Sequence, residues 1–449
     1  MCIRDRAHVD CQPDFETRNC SKTGTPAQRF VGSAQAVLPG FANLRSEFDM
    51  KLTLIKPTIG RPEHSLYIDE GRMEPLNLGV LAALTPEEVE VVMYDDRCES
   101  IPYHEHTDLV AITVETYTAR RSYEIAAEFR RRGVPVVMGG FQPTFLPEEC
   151  AQHADSVVIG DAETIWATVI EDAQRGALKP RYTGPPGLPQ TGVLTRRDIY
   201  EGKDYLPISL MQFTRGCRFV CEFCAVTQFF ERKHYVRRID ETLAEIESQD
   251  RKLIFFVDDN IASNHKALKE LCLALKGMKI NWVSQASLDV TTDDELMKAM
   301  ADSGCLGHVM GFESITRASV REARKAPNLG KFDQYATQIN KLREHGFQTW
   351  AAFTLGYDHD TVDSVRATLD FALENRFTFA AFNILMPYPN TPFYDRLKRE
   401  GRLLYDGQWW LNPNYRFNAA SFVPAQMTPD ELTDVCHEAR SEFNRIPSL

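Results

Sequence analysis

The chain has 449 residues, of which 43% are hydrophobic and 25% are charged, a composition typical of globular proteins with about two or three domains. Its formal net charge of −12, from 51 basic and 63 acidic side chains, argues against a broad nucleic-acid surface, which would need a basic face. No stretch approaches the ~18 apolar residues of a membrane-spanning helix, and we recognise no signal peptide to accompany the eleven cysteines, so we expect a cytoplasmic protein without membrane or nucleic-acid partners.

The first 49 residues differ from the rest of the chain. The opening MCIRDR resembles a translated sequencing adapter, and the residues up to Phe48 show no clear hydrophobic period. From Met50 the sequence begins at once with an alternating strand pattern. We therefore predict that residues 1–49 are a non-native or disordered extension and that the natural protein starts at Met50.

Short apolar runs alternate with helical patterns after Met50. The strand-like runs are Leu52–Ile55, Val89–Tyr94, Leu109–Val114, Val134–Met138 and Ser156–Ile159. This alternation predicts an α/β domain over residues 50–185, built on a Rossmann-like, doubly wound parallel sheet. Ligands of such sheets bind beyond the carboxyl ends of the strands. There, Gly139 and Gly140 would let the backbone approach a large flat or phosphorylated ligand, although a tight turn is the commoner reason for such a pair.

A run rich in proline and glycine, YTGPPGLPQTG, predicts an irregular connector, and we place a linker at residues 186–204. Strand–helix alternation then resumes. The strand-like runs are PISLMQFTRG, Leu253–Val257, Trp282–Gln285, Gly307–Gly311, Thr349–Leu355 and Ala380–Leu385. These units predict a partial (β/α)6 barrel over residues 205–425, open on one side, with its chemistry at the C-terminal strand ends. A last helix, over residues 426–449, is predicted to begin with Thr428 as its N-cap.

Three cysteines stand close together after the first barrel strand, in the run RGCRFVCEFCAV. Cys217, Cys221 and Cys224 have the spacing C-x3-C-x2-C, and three thiolates so placed can hold three irons of a [4Fe-4S] cluster. Without a fourth cysteine, one iron stays open for a small ligand. The alternatives are a zinc site or buried cysteines, but zinc sites usually need four ligands, and the nearest histidine, His234, lies ten residues beyond Cys224.

Polar side chains also stand where the predicted barrel strands end. Asp258 and Asp259 follow one strand, Ser284 and Gln285 end another, and Glu313 ends a third. Such groups can bind the ammonium and hydroxyl groups of a cofactor, whereas each of them alone can equally be a helix cap.

Aromatic residues are concentrated near the end of the barrel. Trp409, Trp410 and Tyr415 can line a flat apolar substrate pocket or can pack in the core, and core packing is the reading that we favour.

The cysteine spacing, the aromatic residue before the last cysteine and the order of the strand-end groups closely resemble radical S-adenosylmethionine (SAM) enzymes over about residues 205–425. The resemblance implies that the open iron chelates the amino and carboxylate groups of SAM, and that one electron cleaves SAM to a 5′-deoxyadenosyl radical. Arg237 or Arg238 is a candidate partner of the SAM carboxylate, with a surface salt bridge as the alternative. The residues that the resemblance assigns to SAM are Phe223, Asp258, Asp259, Ser284, Gln285 and Glu313.

The runs VVMGGFQPTFLPEE and VVIGDAETIW resemble, in order and spacing, the cobalamin-binding domain that precedes many radical SAM domains, over about residues 50–180. The D-x-H-x-x-G loop that supplies a histidine to cobalt is absent, and His64 lies in the corresponding loop without the Asp and Gly. The resemblance therefore implies cobalamin bound without a histidine lower ligand, or a domain that no longer binds it. The residues assigned to cobalamin are Thr113, Thr116, Gly139, Gly140 and Gly160.

These features together predict a radical SAM enzyme that abstracts hydrogen from an unactivated carbon of a small molecule, for cobalamin-dependent C-methylation. The first alternative is radical cyclisation, oxidation or rearrangement without methyl transfer. The second is a non-catalytic iron–sulfur or corrinoid carrier. As an enzyme of this family, the protein would need a one-electron donor such as flavodoxin or ferredoxin.

Overall fold

The computed structural model describes residues 49–59, 72–187 and 193–445. The predicted N-terminal extension, apart from Asp49, and the loop that contains His64 lie outside the described residues. Among the described residues, no helix is long and apolar enough to cross a membrane.

The first half of the described chain is built on a parallel sheet of six strands in the order β2-β1-β3-β4-β5-β6. An order of this kind reverses at the first strand, between β1 and β3, and ligands of such sheets bind where the order reverses. The central strand β3 is buried along its whole length, as expected for a sheet covered on both faces. The strands are β1 (Met50–Lys56), β2 (Val89–Asp95), β3 (Leu109–Thr113), β4 (Val136–Gly139), β5 (Ser156–Gly160) and β6 (Arg181–Gly184).

Strand β6 was not among the predicted strands. Tyr182–Gly184 belong to the run that was predicted to be an irregular connector, but they pair with β5 and complete the sheet, within the predicted bounds of the first domain, 50–185. The predicted linker also contains Tyr200, which is buried and donates a hydrogen bond to the carbonyl of Pro75 at 3.0 Å. A Cβ added to Gly79 would lie 2.2 Å from the Tyr200 hydroxyl, so glycine at this position lets the linker pack closely against the first domain.

Helices cover the first sheet between its strands. Helix α2 is amphipathic, and it buries Tyr123, Ile125, Ala126 and Phe129 while its arginine-rich end is exposed. The helices of this half are α1 (Leu76–Leu84), α2 (Ala119–Arg131), α3 (Phe141–Phe145), α4 (Pro147–Cys150) and α5 (Trp166–Gln174).

The second half contains another parallel sheet of six strands, in the order β14-β13-β12-β11-β10-β7. Neighbouring strands follow one another along the chain, and β7 and β14 are not paired with each other, so the partial, open barrel is confirmed. The strands are β7 (Ser209–Met211), β10 (Leu253–Phe256), β11 (Asn281–Ala286), β12 (Cys305–Glu313), β13 (Gln348–Leu355) and β14 (Phe379–Ile384).

A short antiparallel hairpin stands apart from the barrel sheet. It consists of β8 (Thr214–Gly216) and β9 (His234–Val236), with Gly216 opposite His234. The sequence predicted one continuous strand over PISLMQFTRG, but the chain leaves the barrel sheet after Met211 and begins the hairpin at Thr214. The three cysteines and helix α6 (Ala225–Phe229) therefore lie between two hairpin strands.

The two faces of the barrel strands differ in burial. One face packs fully buried aromatic rings, such as Phe256, Trp282 and Phe353, into a continuous core with the surrounding helices. Side chains alternate across a strand, and the intervening residues on the concave side remain half-buried or exposed. The helices of this half are α7 (Ile239–Glu247), α8 (His265–Leu275), α9 (Asp294–Asp302), α10 (Arg317–Glu322), α11 (Ala326–Leu329), α12 (Tyr335–Glu344), α13 (Val362–Glu374), α14 (Pro392–Arg399) and α15 (Pro429–Arg445).

The C-terminal helix α15 packs against α13 and β14. Its start confirms the predicted cap, because the Thr428 hydroxyl accepts a hydrogen bond from the Glu431 amide at 3.2 Å and the Glu431 carboxylate accepts one from the Thr428 amide at 2.8 Å.

Candidate active site

The three cysteines lie on the loop between β8 and α6, with Cys224 directly before the helix. Burial raises the pKa of Cys221 to about 12 and also raises that of Cys224, and the thiols are close enough to perturb one another. No group of three His, Cys, Asp or Glu side chains in the described part of the chain is placed to hold a single metal ion. In a [4Fe-4S] cluster, each thiolate binds a different iron, so three separate sulfurs on one loop are a donor set that fits this group.

Polar groups from the neighbouring strand ends approach the sulfur of Cys217. The Asn260 amide nitrogen and the Ser263 hydroxyl each lie 3.8 Å from this Sγ atom. Asn260 is itself held by Ser287, whose backbone amide donates to Oδ1 of the Asn260 side chain at 3.1 Å. Donors of this kind stabilise the negative charge of a metal-bound thiolate. None of these three residues was assigned to the cluster from the sequence, because the contacts that join them to Cys217 are long-range.

Asp258 does not face open cofactor space, contrary to its predicted role. Its carboxylate accepts hydrogen bonds from the backbone amides of Phe213 at 2.8 Å and Thr214 at 2.7 Å, and from the Thr214 hydroxyl at 2.7 Å. Burial raises the pKa of Asp258 to about 7, while these hydrogen bonds oppose the shift. The Asp258 carboxylate therefore stabilises the turn between β7 and β8.

Asp259 fixes the backbone at the end of β8, directly before the cysteine loop. Its carboxylate accepts a hydrogen bond from the Gly216 amide at 2.7 Å, one residue before Cys217. The two carboxylates that were assigned to SAM thus position the start of the cysteine loop.

Ser284 and Gln285 point to opposite faces of β11. The strand continues to Ala286, so Ser284 is not at its end, and the buried Ser284 hydroxyl lies 2.8 Å from Nδ1 of His308 on β12. The Ser284 hydroxyl is therefore engaged by a neighbouring strand, and its contact with SAM stays a prediction. Gln285 is half-buried, and its amide nitrogen donates to the Asp258 carbonyl at 3.4 Å, which keeps it at the carboxyl edge of the barrel.

Glu313 ends β12 as predicted, and it forms a buried ion pair with Lys325. Its second carboxylate oxygen accepts a hydrogen bond from the Thr354 hydroxyl at 3.0 Å. Burial alone would lower the pKa of Lys325, but the Glu313 carboxylate and the Cys221 thiol raise it above its ordinary value. Glu313 also has a left-handed backbone, with φ of 64°, a strained conformation that is often found at functional sites.

Lys325 pairs with Glu313 and is close enough to Cys221 to interact with its thiol electrostatically, which brings a buried cation to the cysteine loop. Sequence analysis missed Lys325 because it lies in a short connection between α10 and α11, twelve residues after Glu313. Phe223 is half-buried on this side of the loop, with its ring centroid 6.5 Å from that of Tyr357.

Both arginines considered for the SAM carboxylate form ion pairs with neighbouring residues. Arg237 is buried and forms an ion pair with Glu245, and Arg238 is exposed and forms one with Asp240. The surface salt bridge, the alternative reading, describes Arg238.

A cleft of about 1390 Å³, part of it open to solvent, lies at the carboxyl edge of the first sheet and reaches the barrel. Four of the five residues assigned to cobalamin line it: Thr113, Gly139, Gly140 and Gly160. The barrel side contributes Gln212, Arg215 and Val257. Apolar residues that sequence analysis did not single out form an inner wall, among them Leu78, Leu81, Ala111, Val137, Val158 and Trp166.

The glycines of this cleft differ in the space that is open beside them for a side chain or a ligand. A Cβ on Gly140, which has φ of 113°, would lie 2.8 Å from the Val114 carbonyl oxygen, and one on Gly160 would lie 2.3 Å from the Gly184 carbonyl oxygen. A Cβ on Gly139 would meet only Val158, at 3.6 Å, so the space beside Gly139 is open to a ligand. This open glycine in a cleft with an apolar wall fits a large flat cofactor.

Thr116 does not line the cleft, although it was assigned to cobalamin. It is buried, and its hydroxyl has no hydrogen-bond partner in the described part of the chain. The residue of this loop that does line the cleft is Glu115, whose carboxylate pairs with the Lys56 ammonium at 2.8 Å.

Arg215 joins the first sheet to the cysteine loop, and sequence analysis gave it no role. Its guanidinium lies 3.1 Å from the Asp161 carboxylate and 2.7 Å from the Glu163 carboxylate, both on the loop after β5. The same group donates to the Gly187 carbonyl at 3.0 Å. Cys217 follows Arg215 by two residues, so the loop after β5, which lines the cleft, is directly connected to the cysteine loop.

The aromatic residues near the end of the barrel belong to the core. Trp409 and Trp410 are buried, and their indole nitrogens donate to the Pro387 carbonyl at 2.9 Å and to the Glu149 carboxylate at 3.1 Å. This agrees with the core-packing reading.

Comparison with known proteins agrees with the resemblance to radical SAM enzymes that the sequence shows. The model of the radical SAM superfamily matches residues 211–372. The bacteriochlorophyllide d C-8(2)-methyltransferase of Chlorobaculum tepidum is 30% identical over 360 residues, 74% of this chain and 78% of that protein. The C-12(1)-methyltransferase of the same organism is 29% identical over 363 residues, 78% of each chain.

One solved structure has a similar fold over most of this chain, including both sheets. The radical SAM methyltransferase TsrM from Kitasatospora setae, with cobalamin and a [4Fe-4S] cluster bound, has a TM-score of 0.65 and 16% identity, and covers 88% of this chain and 89% of its own. The chain belongs to the radical SAM superfamily, in the group whose radical SAM domain follows a domain with the cobalamin-binding fold.

Proposed function

We propose that this protein is a cobalamin-dependent radical SAM C-methyltransferase with a tetrapyrrole substrate. The observation that carries the proposal is the shared cleft, because residues of the first sheet and of the barrel line one continuous space beside the cysteine loop. A cofactor held by the first sheet can thus reach a substrate held by the barrel.

Three cofactors fit the residues present. Cys217, Cys221 and Cys224 would hold a [4Fe-4S] cluster, the strand ends around Gln285 and Glu313 would hold SAM, and the cleft at Gly139 would hold cobalamin. When bound, the cluster and SAM supply a 5′-deoxyadenosyl radical and cobalamin supplies the methyl group.

The chain's own residues position these groups. Asp258 and Asp259 fix both turns before the cysteine loop, and Asn260 and Ser263 donate toward the Cys217 sulfur. The buried pair of Glu313 and Lys325 offers one anion and one cation beside Cys221, which suits the ammonium and carboxylate of an amino acid.

The substrate class rests on the relatives. The two Chlorobaculum tepidum relatives are named for methylation of bacteriochlorophyllide d, a tetrapyrrole.

The reaction would also need a reductant, and we propose a flavodoxin or a ferredoxin in the cytoplasm. Radical cyclisation, oxidation or rearrangement remains the alternative reaction for the same cofactors.

Anaerobic reconstitution with iron, sulfide and hydroxocobalamin tests the proposal. We expect the absorption of both an iron–sulfur cluster and a corrinoid, and, with SAM, dithionite and bacteriochlorophyllide d, the formation of 5′-deoxyadenosine, S-adenosylhomocysteine and a methylated product. The variant Cys221→Ala should bind hydroxocobalamin as the wild type does and form none of the three products.

Two results would contradict methyl transfer. Deoxyadenosine without S-adenosylhomocysteine would favour the alternative reaction, and absence of SAM cleavage by a fully loaded protein would favour a non-catalytic carrier.

A further inference from the structure

The outer surface of the cysteine loop carries exposed arginines around an apolar centre. Val220 is 42% exposed at the middle of the loop, and the Arg218 side chain is 52% exposed, with its guanidinium 5.1 Å from the centre of the Phe219 ring. We call Arg218, Arg321 and Arg324 together the basic rim. An apolar centre with a charged rim is the usual anatomy of a transient protein interface.

Helix α10 brings the other two arginines to the loop. The Glu222 amide donates to the Ala323 carbonyl at 3.2 Å, which joins the cysteine loop to the end of this helix. Arg321 and Arg324 flank this contact and are exposed. Neither guanidinium forms a hydrogen bond or an ion pair with another residue in the described ranges, so both are free to bind a partner.

Three acidic groups near the cysteine loop and the end of α10 are paired and largely covered. Glu222 and Glu322 both pair with Arg396, and their side chains are 13% and 14% exposed. Asp289 pairs with Arg218 and is 20% exposed. The surface above the cysteines therefore presents positive charge to solvent, on a chain whose net charge is −12.

We propose that the basic rim docks an acidic one-electron carrier protein. This inference rests on the proposed function, which requires one electron for the iron–sulfur cluster. The carrier loses one electron and the cluster gains it, with no atom or proton transferred. A reductant must come close to the cluster, and Arg218 and Val220, which lie between Cys217 and Cys221 in the chain, are exposed. A positive surface attracts an acidic carrier, and weak electron-transfer complexes depend on this kind of steering.

Charge reversal tests the proposal with a matched control. The test variant is Arg321→Glu with Arg324→Glu, and the control is Lys252→Glu with Arg376→Glu. The control residues are exposed and precede β10 and β14, at the opposite end of the barrel. Arg376 also matches Arg324 in backbone conformation, with φ of 49° against 53°.

Flavodoxin is the probe, and its affinity for the cluster-loaded protein is measured by titration at low and high salt. We expect the test variant to weaken flavodoxin binding at low salt by about tenfold, because two attractive contacts become repulsive. High salt should remove most of this difference, since the contacts are exposed. The control variant should bind as the wild type does.

A second measurement separates docking from the chemistry. Iron content and dithionite-driven 5′-deoxyadenosine formation should be the same in the wild type, the test variant and the control, because dithionite needs no docking surface. Equal flavodoxin affinities for both variants, or no flavodoxin binding by the wild type, would overturn the proposal even if SAM cleavage is intact. Absence of SAM cleavage in all three proteins would instead contradict the proposed function.

Discussion

The acidic residues at the barrel strand ends have two different roles, although their sequence contexts look alike. Asp258 has its carboxylate occupied by backbone donors, whereas Glu313 pairs with Lys325 beside Cys221. The sequence shows that a carboxylate follows a buried strand, but not which donors reach it. Ser284 was misplaced for a related reason, because β11 runs to Ala286 and the alternation then puts Ser284 against His308.

Replacement of Glu313 tests its role in holding SAM. Glu313→Gln keeps the size of the side chain but leaves the buried Lys325 ammonium without a carboxylate. We expect SAM affinity, measured by equilibrium dialysis, to fall by about tenfold or more, because hydrogen bonds to charged groups contribute most to binding. Iron and sulfide content should be unchanged. Unchanged SAM affinity would contradict the assignment, and the exposed Glu438→Gln serves as the control.

The longer elements were predictable from the sequence, and the short ones were not. All five predicted strands of the first sheet and the strands of the barrel are present, because strand-like runs of four to ten residues identify them. Strand β6 was missed because only Arg181–Gly184 pair, within a run rich in proline and glycine. Hairpin β8–β9 was missed because three residues in each strand carry no period, and its stability comes from partners such as Asp258 and Asp259.

Gly139, the last residue of β4, and the adjacent Gly140 allow the requirement of the turn and the requirement of the ligand site to be tested separately. Gly140→Ala places a Cβ 2.8 Å from the Val114 carbonyl at a positive φ, so we expect a loss of stability of about 1–3 kcal/mol, measured by chemical denaturation. Gly139→Leu adds a side chain where only Val158 is near, and should leave stability close to that of the wild type.

For cobalamin binding we expect the larger effect from Gly139→Leu, the variant with the smaller expected effect on stability. Gly139→Leu fills the cleft, so hydroxocobalamin binding, followed by its absorption spectrum, should be lost or strongly weakened. Normal corrinoid binding by Gly139→Leu would show that cobalamin does not occupy this cleft.

The two sheets are joined close to the chemistry, and this connection was not visible in the sequence. Arg215 precedes Cys217 by two residues, yet its guanidinium contacts Asp161 and Glu163, more than fifty residues earlier in the chain. Long-range ion pairs leave no local pattern, so sequence analysis gave Arg215 no role. In the folded protein, this contact sets the position of the cysteine loop relative to the cleft.

Arg215→Lys tests whether this contact aligns the two cofactor sites. Lysine keeps the charge, which avoids leaving two buried carboxylates unpaired, but it cannot reproduce the geometry of the guanidinium. We expect normal iron and cobalamin content and continued 5′-deoxyadenosine formation, with a lower ratio of methylated product to deoxyadenosine by about tenfold.

An unchanged product ratio for Arg215→Lys would show that the contact serves only to stabilise the fold. The control is Arg232→Lys, an exposed residue of the same hairpin connection.

The position of the cysteine loop on hairpin β8–β9 has a consequence for biosynthesis. None of the three cysteines belongs to the hydrophobic core of the barrel, which is formed by residues of the six-stranded sheet and its helices. The polypeptide can therefore complete its core before iron arrives. We therefore expect that cluster insertion can follow folding as a separate maturation step.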